Sequence, residues 1–199
     1  DDKRQQIYTD IMGEALDAEG WEAVLEEAGR NGLLRPRGSR IYELHPTLPH
    51  FLRRQLVAMV GEDNLKQLDS EFMKFYAALA SHFYESVQRS DRNSIFAVTI
   101  EEANLLRALR LADMDEQWAT AQSIVQTLGE FYQARGRADE WIALRTTLLN
   151  RVGREISPDA DRDQADLWMY LLYEEANHTL SRNELEIAKA EYQRILDYL

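Results

Sequence analysis

The 199-residue chain contains no cysteine. That excludes disulfides, thiolate zinc sites and a cysteine nucleophile, although the absence alone does not assign a redox compartment. Glycine and proline are scarce, nine and four, and they cluster before about residue 61, so the composition changes near Gly61. No basic, apolar leader opens the chain and no apolar run is long enough to cross a bilayer. With Asp1 in place of a methionine, the sequence reads as a piece of a longer cytoplasmic protein without a membrane partner. Cations are short as well: 23 Lys and Arg against 35 Asp and Glu give a net charge of −12. Residues 1–60 hold 10 acids and 8 bases, net −2, which leaves 25 acids and 15 bases, net −10, for residues 61–199. Nucleic-acid binding relies on a basic face that releases phosphate counterions, so no nucleic acid is expected as a partner of the second part. Three catalytic signatures are missing too: a Gly-x-x-x-x-Gly-Lys-Ser/Thr phosphate loop, a Gly-x-Ser-x-Gly elbow and a His-Glu-x-x-His pair. The chain by itself is expected to be no enzyme and to hold no cofactor or metal.

What is present divides near Gly61. In residues 1–60, Trp21, Val24, Leu25 and Ala28 fall at helical spacing, and Gly29 to Gly32 closes that helix. Leu33 to Leu44 is two short apolar stretches around a Pro/Gly/Ser turn, which predicts a β-hairpin. His45-Pro46 follows, with Phe51, Leu52, Gln55, Leu56 and Met59 continuing as a helix. Helix, helix, hairpin, helix is the order of a winged-helix domain.

Residues 61–199 predict helices only. Leu65, Leu68, Phe72, Tyr76, Leu79, Phe83 and Val87 form one long apolar stripe. Thr99-Ile100-Glu101-Glu102 has the spacing of a capping box and predicts a helix start there. Trp118 to Tyr132 and Trp141 to Val152 read as a helix pair punctuated by Gly136 and Gly153. Ser157-Pro158 and Asn183…Glu186 read as the next two starts. Gly129 to Ala176 and Trp141 to Ala188 are both steps of 47 residues, so two helix-turn-helix units recur in register. The period exceeds the tetratricopeptide length of about 34, and the excess fits the polar link Asn150 to Arg162. The fold class is therefore mainly α: a small winged-helix domain over 1–60, then a helical linker and a tetratricopeptide-like α-helical solenoid over 61–199.

Leu128-Gly129-Glu130-Phe131-Tyr132 through Gly136 and Glu140 resembles the first helix of a tetratricopeptide unit, and Glu186-Ile187-Ala188-Lys189-Ala190-Glu191-Tyr192 resembles its second. Trp141 stands where that family prefers alanine, and Arg145 where it prefers an aromatic. Taken together, Leu33-Leu34-Arg35-Pro36, Tyr42-Glu43-Leu44-His45-Pro46-Thr47-Leu48-Pro49-His50-Phe51-Leu52, Glu101-Glu102-Ala103-Asn104-Leu105-Leu106-Arg107-Ala108-Leu109 and the repeats resemble the region after the nucleotide-binding core of bacterial STAND signalling ATPases of the NB-ARC type. The resemblance implies a non-catalytic regulatory and protein-interaction segment, a sensor in signal transduction. Its winged helix would dock on the nucleotide-binding domain of the same chain, and its repeats would receive a protein or small-molecule signal. ADP and ATP would belong to the full-length protein, whose winged-helix histidine reaches the bound ADP; here that position is His45, flanked by Leu44 and Pro46 where the family has methionine and aspartate. The fragment alone is expected to be monomeric. The alternatives are a free-standing tetratricopeptide scaffold and a winged-helix transcription regulator.

Other candidates read more plainly. His45 and His50, five apart across two prolines, do not share a helix face as metal ligands require. Glu101-Glu102 and Glu174-Glu175 are adjacent on helices and point in different directions, so capping and solvation suit them better than paired catalysis. Trp118, Trp141, Trp168, Phe131, Tyr132, Tyr170 and Tyr173 sit mostly at core spacing. Arg35, Arg37 and Arg40 on the wing could touch phosphate, but Glu22, Glu26 and Glu27 on the preceding helix would repel a DNA groove. His82 and His178 are expected to be structural only.

Overall fold

The computed structural model describes residues 17–38, 41–44 and 48–199. Helix α1, Ala18–Arg30, begins where the Asp17 carboxylate accepts the Gly20 N–H at 2.8 Å. It ends at Gly32, whose φ of +70° lets the Leu33 N–H return to the Ala28 carbonyl. Strands β1, Leu34–Gly38, and β2, Ile41–Leu44, follow as the expected hairpin. They are antiparallel with Leu34 opposite Leu44 and Pro36 opposite Tyr42, and β1 packs on α1. The helix expected ahead of α1 falls outside the described residues. Helix α2, Leu48–Gln88, is interrupted at Gly61, where φ is 79° and ψ 167°. The chain forms two compact units, residues up to Asp69 and Ser70–Leu199. In the first, Arg53 on α2 pairs with Asp69 at 3.0 Å.

In the second unit α2 continues to Gln88 and is followed by α3, Arg92–Met114, α4, Trp118–Ala134, α5, Ala138–Val152, α6, Arg162–Ser181, and α7, Leu185–Tyr198. The chain is thus mainly helical, with one two-stranded hairpin among the described residues. Helix α4 packs on α3, α5 and α6, and α6 packs in turn on α5 and α7. The core runs through these helices as Leu105, Leu109, Ile124, Leu128, Phe131, Leu149, Trp168 and Leu172, all nearly inaccessible. Each such leucine contributes about 1.5–3 kcal/mol by burial.

Three helix starts differ from the sequence reading. Thr99 does not open α3: the cap is Asp91, which accepts the Ser94 N–H at 2.8 Å, and Thr99 lies inside the helix with its hydroxyl donating to the Ile95 carbonyl. A threonine at an interior position satisfies its hydroxyl on the preceding turn, so the capping-box letters carry no boundary there. Ser157-Pro158 forms a turn, and Asp161 caps α6 instead. Asn183 is no cap either. It adopts φ +64° in the bend before α7.

That bend repeats. Ser90, Glu116, Gly136 and Asn183 all have φ between 53° and 67°. In each case the next N–H reaches back five residues, Asp91 to Ser86, Gln117 to Ala112, Arg137 to Tyr132 and Glu184 to Thr179. Ser90, Gly136 and Asn183 are 46 and 47 residues apart, so α2/α3, α4/α5 and α6/α7 are three hairpins built on one joint. The link of residues 153–161 occupies, one step along, the stretch that in α3 is still helical.

Gly129 shows why the hairpins close. A Cβ there would lie 3.1 Å from Trp141 Cη2 and 3.1 Å from the Tyr170 hydroxyl, so any side chain would require the indole of α5 or the ring of α6 to give by a few tenths of an ångström. Trp141, expected to be buried, is 5% exposed, and its ring centroid is 6.4 Å from that of Tyr170.

Candidate functional site

Helices α4 and α6 each carry one polar stripe along the edge of the core. On α4 it is Gln126, Glu130 and Gln133, spaced four and three; on α6 it is Tyr170, Tyr173 or Glu174, and Asn177. Gln88 Nε2 donates to Glu130 Oε1 at 3.5 Å, and Gln133 Nε2 donates to Glu174 Oε2 at 3.4 Å. These are two amide-to-carboxylate rungs of the same chemistry, one from α2 to α4 and one from α4 to α6. The Tyr192 hydroxyl adds a third link by donating to Asn177 Oδ1 at 2.5 Å. Burial, then Glu130 and Glu174, hold the Tyr84 phenol above its ordinary pKa, and Tyr170 is pushed up by burial first and then by Glu174, Tyr84 and Glu130. Both phenols stay protonated and neutral. Burial also raises the Glu174 carboxyl, against the pull of Arg145.

Beneath this face lies Arg145, on α5, only 3% exposed. One guanidinium nitrogen donates to the Glu174 carbonyl at 3.0 Å, while Nε is buried without a hydrogen bond. Desolvation lowers its pKa, and Glu175, Glu174 and Glu191 counter that in turn. Glu191 Oε2 is likewise buried and unbonded, and burial raises its carboxyl. The sequence marked Arg145 only as a departure from an aromatic; its signal is a lone cation in the apolar stripe Trp141, Leu148, Val152.

The adjacent glutamates do separate. Glu101 accepts the Tyr76 hydroxyl at 2.9 Å and the Asn104 amide at 2.8 Å, whereas Glu102 accepts the Tyr132 hydroxyl at 3.0 Å and Arg137 at 2.8 Å. They fasten α3 to different neighbours rather than cap or solvate, and Arg137 also stacks 4.7 Å over the Tyr132 ring. Glu175 meets Arg154 at 3.5 Å. Trp118, Trp168, Phe131 and Tyr132 are core residues, and Tyr173 is half exposed. His82 is exposed with its ring against Phe83, while His178 is half-buried with a pKa lowered first by burial.

In the first unit, Trp21, Leu25 and Tyr42 line a shallow groove of about 440 Å³ edged by Glu22 and Glu26. On the wing, Arg37 is held by Glu43 at 2.6 Å and Arg35 is exposed. Arg40 and His45 lie outside the described residues, as does the side chain of His50. Among the described residues no group of three His, Cys, Asp or Glu is placed to hold a metal ion, and no helix is long and apolar enough to cross a membrane. No family model, no curated protein and no solved structure matches the chain.

Proposed function

We propose that this chain is the winged-helix and sensor segment of a STAND-type signalling ATPase, with residues 70–199 as a tetratricopeptide-like arm that receives a protein or small-molecule signal. The observation that carries the reading is the joint shared by three successive helix hairpins at steps of 46 and 47 residues. Stacked hairpins expose one stripe from each first helix, and such surfaces recognise rather than transform. The rungs from Gln88 to Glu130 and from Gln133 to Glu174 lie on that stripe. A DNA-reading role for the wing is disfavoured by the Arg37–Glu43 pair and by Glu22, Glu26 and Glu27 on α1.

Two measurements test the reading. In fluorescence anisotropy at physiological salt, the fragment is expected to show no binding to duplex DNA of micromolar strength or tighter, and a phosphate-release assay is expected to show no ATP turnover. Salt-dependent micromolar DNA binding would favour the transcription regulator. In the full-length protein, His45→Ala is expected to speed ADP release and raise output without ligand, because an imidazole can donate to phosphate and a residue that precedes proline favours an extended backbone. An unchanged ADP dissociation rate together with unchanged basal output would remove His45 from the switch.

A further inference from the structure

Helices α3 and α5 both pack on α4 and leave between them a trough of about 430 Å³, which the buried ring of Tyr132 also lines. Its apolar wall is Leu106 and Leu109 on α3 with Leu144 and Leu148 on α5, two pairs spaced three and four along their helices. A space of this size lies within the about 300–1,000 Å³ of small-molecule sites. One step of 47 residues along the array, Leu106 to Asp113 correspond to Gly153 to Ala160, which form the link instead of a helix. The trough is therefore particular to the α3/α5 step.

Both acids that line it already face a cation. Glu140 accepts Arg137 Nε at 2.9 Å, and Asp113 Oδ2 meets Arg151 at 3.4 Å. The second oxygen of Asp113 is buried without a hydrogen bond, closed to a ligand arriving from solvent. The hydroxyls are used as well: Thr147 donates to the Ala143 carbonyl at 2.8 Å and Tyr132 to Glu102 at 3.0 Å. Arg110 is in the opposite condition. It lines the same trough and is exposed, and among the described residues it makes no hydrogen bond or ion pair. Asp113, three residues on along α3, is taken by Arg151 and does not neutralise it. An apolar wall with one open charge, a cation, thus remains.

We infer that the α3/α5 trough binds a small amphipathic monocarboxylate, its carboxylate on Arg110 and its apolar body on Leu106, Leu109, Leu144 and Leu148. A guanidinium and a carboxylate form a charge-assisted, bidentate pair, which fixes the head of the ligand. Burial of the body against the leucines supplies the rest of the affinity. A single negative charge suits the site better than a phosphate dianion, because Glu140 and Asp113 stand at its edges. An amine finds no open acid there. The trough lies between the second helices of two hairpins, and the assignment does not depend on a nucleotide switch.

The probe is hydrocinnamate, with phenethylammonium and acetate as controls that lack the anionic head and the apolar body in turn. In an NMR chemical-shift titration of the 199-residue chain, hydrocinnamate is expected to shift amides of α3 and α5 with a Kd of about 0.1–1 mM, and each control to bind at least about tenfold more weakly. Arg110→Gln, at an exposed position, is expected to weaken hydrocinnamate at least about tenfold with an unchanged circular dichroism spectrum and Tm. Ala143→Trp, also at an exposed position, is expected to weaken it as much by filling the trough while Arg110 stays in place. No shift up to about 5 mM, shifts confined to other helices, or equal binding of either control overturns the assignment. An affinity unmoved by Arg110→Gln does so too. Self-association in sedimentation that Arg110→Gln or Ala143→Trp abolishes would make the trough an interface between copies of the chain, and it overturns the assignment as well.

Discussion

Replacing Trp141 by alanine is expected to remove about 3–5 kcal/mol of stability in urea denaturation, a large share of the 5–15 kcal/mol typical of a domain. The indole fills the space above Gly129 and meets the Tyr170 ring at a tilt, centroid to centroid 6.4 Å. No neighbour can collapse into that volume without opening α4 from α5, because Gly129 has no side chain to move. The same contact predicts a coupling: Gly129→Ala is tolerated better in the Trp141→Ala background than alone, since the indole atoms 3.1 and 3.2 Å from the new Cβ are gone and only the Tyr170 hydroxyl stays at 3.1 Å. A loss below about 1 kcal/mol for Trp141→Ala would mean that the hairpin is held elsewhere.

Arg145→Glu is expected to cost about 4 kcal/mol or more, because it exchanges a buried cation for a fourth carboxylate among Glu174, Glu175 and Glu191. Arg145→Met is expected to cost only about 1–2 kcal/mol. It keeps the length of the side chain and removes a guanidinium whose Nε has no hydrogen bond, while the carboxylates that lose their cation are partly accessible and can take up protons. The two losses also differ in pH dependence. Glu174 and Glu191 already have pKa values raised by burial, so the folded state holds more protons than the unfolded one between the ordinary value near 4.3 and the raised one. Their contribution is fully present below that window and is lost as pH rises through it. Without Arg145 the window moves upward, and both variants should regain stability on acidification from pH about 7 to about 5. Denaturation curves with the same deficit at both pH values would show that Arg145 does not face these carboxylates.

Much of the helical order was legible because the core stripes are periodic. Trp118 to Tyr132 and Trp141 to Val152 carry their apolar residues at three and four spacing, and α4 and α5 appear where those stripes lie. The β-hairpin was legible for a different reason, two apolar stretches about a Pro/Gly/Ser turn. Helix starts were the weak point. Thr99, Ser157 and Asn183 are the right residue types for a cap, but a hydroxyl or amide bonds equally well to an earlier turn of its own helix or shapes a bend, and only the chain direction decides. The third hairpin was hidden because α3 runs on as helix where its successor has a link, so no run of letters lines up across it. Cross-helix partners such as Gln88 with Glu130 and Gln133 with Glu174 were not legible at all, since they depend on how far one helix is rotated against the next.

Serine, glutamate, glycine and asparagine hold the same bend at residues 90, 116, 136 and 183. A joint of this kind is written in dihedral angles and returned carbonyls, not in letters, and it accepts glycine and three unlike side chains because the bond that defines it joins backbone atoms only. The sequences of successive hairpins can then drift independently while the pitch of the stack stays fixed. Side chains exposed along such hairpins can change their chemistry without altering the joints that set the frame.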